Sequence, residues 1–73
     1  MNELTMINVN EANKRLFSLG LAVFPTCNGV MCIIDSKDVD CNCPPILDRI
    51  NCSRMAGAST ICNMVKDRIK RWK

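Results

Sequence analysis

The feature that most constrains this chain lies near its C-terminus. Met55, Ala58, Cys62, Val65, Ile69 and Trp72 recur at spacings of three, four, three, four and three. That rhythm lines up one side of a helix in a heptad-like stripe. An apolar stripe must be covered by the rest of the chain or by a partner. The other side of the same segment is basic. Residues 66 to 73 hold Lys66, Arg68, Lys70, Arg71 and Lys73 against Asp67, a net charge of +4. The whole chain carries +3, so the remainder is near −1 and the positive charge is gathered at one end.

Little chain is left to cover that stripe. The 73 residues suffice for one domain, residues 1 to 73. A domain of this size buries only about 60% of its unfolded surface, so a metal, disulfides or a partner subunit would add needed stability. Residues 8 to 20 read as a helix. Asn8 and Glu11 have capping-box spacing, Ile7 and Ala12 occupy the staple positions, and Gly20 suits the left-handed end. Val9, Ala12, Leu16 and Leu19 form its apolar stripe. Residues 1 to 6 are left open between order and disorder.

Residues 21 to 34 read as a β-hairpin turning at Asn28-Gly29, a pair that tolerates positive φ. With a two-residue turn, Cys27 faces Val30 and Phe24 faces Ile33, which puts Val23, Cys27, Cys32 and Ile34 on one face. Pro25 marks an edge strand or a bulge, because it has no N–H to donate. Residues 35 to 44 form a polar, acidic loop. Pro44-Pro45 then suits the opening of a helix with Ile46, Leu47 and Ile50 buried. Residues 45 to 72 are expected to be helical, as one helix bent at Gly57 or as two, with Ser59 the alternative cap. The fold class is therefore α+β: a small single domain with an N-terminal helix, a β-hairpin, then one or two C-terminal helices.

Catalysis is not expected. Histidine, the commonest general base, is absent. No nucleophile elbow or phosphate-binding loop is present. Asp35, Asp38 and Asp40 cluster in the loop, where solvated carboxylates are the ordinary reading.

The start, Met1-Asn2-Glu3-Leu4-Thr5-Met6, has neither a basic opening nor an apolar core, so no signal peptide is expected. No apolar run approaches a membrane span, and no membrane partner is expected. A cytoplasmic setting follows as the expectation, and cytosolic thiols stay reduced. Free thiols are then the leading reading of the six cysteines, with Cys32, Cys52 and Cys62 as small core residues. Cys27, Cys32, Cys41 and Cys43 are the candidates for a zinc site, although their spacing departs from paired Cys-x-x-Cys knuckles. No other cofactor is implied.

Binding is the function that remains. The C-terminal helix suits docking on a protein partner or on a second copy of the chain. In that reading Ile69 and Trp72 are apolar anchors, Met64 adds adaptable contact surface, and Lys66, Arg68, Lys70 and Arg71 steer and rim the contact. The competing reading is a DNA-binding regulator whose basic helix contacts phosphates, with a helix-turn-helix across residues 46 to 70. A small zinc-stabilised module is the third. The order of helix, hairpin and helix in a short, cysteine-tolerant chain resembles the small accessory proteins of temperate phages and other mobile elements. Such proteins bind a host protein or regulate transcription. This resemblance is one of general style and assigns no residue a role.

Overall fold

A computed structural model of the chain describes residues 3–26, 29–53 and 56–72. The first helix, α1, runs Glu3–Leu16 and tightens into a 3-10 turn, Phe17–Leu19. Gly20 ends it at φ 74°, a conformation that glycine enters without a Cβ clash. The sequence places that stop correctly, but not the start. Asn8 lies inside the helix rather than capping it, and Ile7 is exposed while Ala12 is fully buried, so no staple forms. Val9, Ala12 and Leu16 face the core. Leu19, the fourth member of the expected stripe, is exposed at the end of the 3-10 turn, beyond the α-helix that carries the other three.

Strands β1 (Leu21–Pro25), β2 (Val30–Asp35) and β3 (Asp48–Asn51) form one antiparallel sheet in that order. The hairpin forms as expected, in a different register. Phe24 pairs with Cys32 and Val23 with Ile33, and Thr26 N–H donates to the carbonyl of Val30 at 2.8 Å. The connection is thus longer by one residue than a two-residue turn. A slip of one residue moves a side chain to the other face. Val23 therefore faces the helices with Leu21, Met31 and Ile33, whereas Cys32 and Ile34 lie on the far face with Ala22 and Phe24. Cys27 and Asn28 lie outside the described residues.

The helix expected to open at Pro44-Pro45 is not formed. Residues 44 to 47 are irregular and Asp48–Asn51 is a strand. Leu47 N–H donates to the Ile33 carbonyl at 2.8 Å, which draws the segment onto β2. Ile50 is buried as expected, but on the sheet, while Ile46 and Leu47 are exposed. One helix, α2 (Ala58–Lys70), makes up the C-terminal part. Gly57 is its N-cap and does not bend it, and Ser59 sits within its first turn.

Both helices pack on one face of the sheet, α1 against β1 and α2 against β3. They run antiparallel: the Cys62 thiol donates to the Ala12 carbonyl at 3.7 Å, and Arg15 reaches the Ser59 hydroxyl at 3.0 Å. Leu16, Met31, Ile33, Ile61 and Val65 are the largest fully buried side chains. At roughly 1.5–3 kcal/mol for each, relative to exposure, this layer is the main source of cohesion.

Candidate functional site

The stripe of α2 divides into a covered part and an open end. Ile61, Cys62 and Val65 are buried, and Ala58, Met64 and Ile69 pack against the core from its margin. Met55 lies outside the described residues. Trp72, one residue past the helix C-cap Arg71, is 43% exposed. Ile69 and Met64, expected at a partner surface, pack in part against the chain's own core, and Trp72 is the exposed end of the stripe.

What positions Trp72 is Asp48, the first residue of β3. Its carboxylate accepts from the Trp72 indole N–H at 2.7 Å and from Arg68 through Nε at 2.9 Å and a terminal nitrogen at 3.2 Å. It also accepts from the Arg49 backbone N–H at 2.8 Å. Arg68, then Trp72, then the Arg49 amide hold this carboxyl well below the usual carboxylate range. In return Asp48 raises the affinity of Arg68 for its proton. The two-point guanidinium–carboxylate geometry gives direction as well as attraction. Arg68, expected at the rim, thus has a partner within the fold while its side chain stays 41% exposed.

Lys66, Lys70 and Arg71 are exposed. Arg71 has a loose ion pair with Asp67 at 3.7 Å. Leu47, 49% exposed, lies with Trp72 and Asp48 around one shallow notch, and Ile46 beside it in sequence is exposed as well. Asp48 and Arg49 were not singled out from the sequence, and Leu47 was expected on the buried side of a helix. One signal was present: between Cys41 and Lys66, Asp48 is the sole acid, so it is the natural counter-charge for a basic helix that folds back on this stretch.

The cysteines separate by environment. Cys32, Cys52 and Cys62 are buried free thiols, and burial pushes the Cys52 thiol up. Cys41 and Cys43 are exposed in the loop after β2. Cys27 lies outside the described residues. Among the described residues, no three or more Cys, Asp or Glu side chains are grouped to hold a metal. Asp35 caps the 3-10 turn Ser36–Asp38 through the Lys37 N–H at 3.0 Å, so one member of the acidic cluster has a structural task. A helix-turn-helix across residues 46 to 70 is not formed, because β3 occupies the place of its first helix. No helix among the described residues is long and apolar enough to cross a membrane. No family model, curated protein or solved structure matches this chain.

Proposed function

We propose that this chain is a protein-binding module that docks through the open end of α2. The observation that carries this reading is Trp72: a large aromatic side chain, tied by its indole N–H to Asp48, yet left 43% exposed beside Leu47. Tryptophan is over-represented among residues that dominate binding energy, and one already held in place loses less freedom on docking. Leu47 and Ile46 extend the apolar contact. Lys66, Lys70 and Arg71 supply a basic rim suited to steering. The module acts by occupying a surface of another protein, as regulators of host or cellular proteins do.

The test uses the full chain as immobilised bait, with Trp72→Ala as its pair. A protein retained by wild type and lost by the variant is expected. Identical sets retained by both baits would sink the reading. Light scattering on the same two proteins identifies self-docking, as a wild-type dimer that Trp72→Ala converts to a monomer.

A further inference from the structure

Between β3 and the C-terminal half of α2 lies a cleft of about 270 Å³ with mostly polar walls. Arg49 and Asn51 border it on the strand side, and Met64, Asp67, Arg68 and Arg71 on the helix side. Three arginines and one aspartate border the cleft, a positive balance that remains when the Arg68 charge is assigned to Asp48. Arg68 is held at 2.9 Å. Arg71 is not held in that way: its pair with Asp67 is 3.7 Å long, with the side chains 69% and 68% exposed. A pair of that kind contributes little and exchanges readily. Arg49 is exposed and joins no ion pair among the described residues. Arg49 and Arg71 therefore border the cleft from its two sides, and neither is held by a short ion pair among the described residues. The Trp72–Leu47 notch adjoins, since Asp48 borders the notch and binds the Arg68 that lines the cleft.

We infer that the partner presents an extended acidic segment: its carboxylates enter the cleft at Arg49 and Arg71, and a neighbouring apolar residue lies on Trp72 and Leu47. The inference rests on the reading of the Trp72 end as the docking surface and adds the chemistry of what docks there. Charge complementarity carries it, because a guanidinium fork matches a carboxylate with two parallel bonds. Leu47 beside Trp72 in the notch argues for a peptide over a nucleic acid, since a phosphate backbone brings a charge with every nucleotide and no aliphatic side chain to lie there. A peptide can alternate acids with apolar residues, and so satisfy both the cleft and the notch.

The experiment titrates the full chain with a labelled peptide of alternating glutamate and leucine, its lysine–leucine counterpart, and oligothymidylate. Anisotropy reports binding, and emission from Trp72, the single tryptophan, reports its location. The glutamate peptide is expected to bind and to change Trp72 emission. Arg49→Glu and Arg71→Glu should each weaken it by roughly tenfold. Lys37→Glu, in the remote 3-10 turn, should leave affinity within about twofold, since screening removes distant charge effects. The inference is overturned by no binding of the glutamate peptide, by equal binding of the lysine peptide, or by equal losses from Lys37→Glu and Arg49→Glu. Displacement of the peptide by oligothymidylate with the same Arg49 dependence would overturn it in favour of nucleic acid. Circular dichroism on each variant separates lost binding from lost fold. If Trp72→Ala abolishes protein capture while Arg49→Glu leaves it intact, the acidic segment fails and the docking surface stands.

Discussion

The two outer strands of the sheet are blunted by side chains of nearly the same shape and opposite character. On β1 the outward groups of Val23 both go to Asn13 of α1: the Val23 N–H donates to the amide oxygen at 2.8 Å, and the amide nitrogen donates to the Val23 carbonyl at 3.1 Å. On β3 the outward N–H of Arg49 donates to the carboxylate of its neighbour Asp48 at 2.8 Å. An amide offers a donor and an acceptor, so it satisfies both groups of an edge residue and carries no charge. A carboxylate only accepts. It covers the N–H alone, and its charge must be balanced, here by Arg68 and Trp72. Pro25, which has no N–H, closes β1 further. The β1 edge is sealed by a neutral contact. The β3 edge is joined to the helix end by a charged one, and the exposed Trp72 and Arg49 both lie at that charged edge. Edge strands invite unwanted pairing, so each needs some such device.

The largest effect is expected from Asn13→Leu. It strands a donor and an acceptor on Val23 and should cost about 2–3 kcal/mol in urea unfolding. A loss under about 0.5 kcal/mol, half of what one typical hydrogen bond contributes, would show that water serves this edge equally well. Asp48→Asn should lower stability by less. It keeps the shape and the bond from the Arg49 N–H but removes the charge that Arg68 needs, and the ion pair is partly open to water.

Acid should separate the two edges next. The folded Asp48 carboxyl holds its proton less tightly than the unfolded one. Its contribution is therefore complete above about pH 4, the ordinary aspartate value, and is lost as pH falls through the lower folded value. The stability difference between wild type and Asp48→Asn should shrink on acidification through that range, while the deficit of Asn13→Leu stays constant. A wild type–Asp48→Asn difference independent of pH would mean that the charge contributes nothing. Emission from Trp72 should shift in folded Asp48→Asn and stay unchanged in folded Asn13→Leu. The smallest effect is from salt. Raising it toward about 1 M shortens the screening length to roughly 3 Å and should narrow the Asp48→Asn deficit alone.

Periodicity made part of this legible in advance. The stripes Val9–Ala12–Leu16 and Cys62–Val65–Ile69 are in the core or against it, because helical spacing turns directly into a buried side. Gly20 marked the end of the first helical segment, and Asn28-Gly29 with its apolar flanks marked the hairpin. Ile61 was missed, since a helix that covers both a sheet and a second helix needs a wider stripe than a heptad seam. Strand β3 was missed for a different reason. Asp48-Arg49-Ile50-Asn51 has one apolar residue and no β-branched run, and it is a strand because β2 offers an edge to pair with.

The candidate site was half legible. Trp72 and the basic face were evident from spacing and charge, but the division of labour among them was not. Arg68 and Lys70 both read as rim residues, and only the contact with Asp48, 20 residues away, distinguishes Arg68 from Lys70. Sequence alone determined the local quantities: where helical rhythm begins to bury a side, where the chain must turn, and at which end the charge collects. Those follow from the chemistry of neighbours a few residues apart. Tertiary structure decided the hairpin register, the third strand, which apolar residues stay outside, and which arginine is paired. Each of those depends on groups distant in the chain competing for the same few hydrogen bonds and the same small core, a competition that no local pattern records.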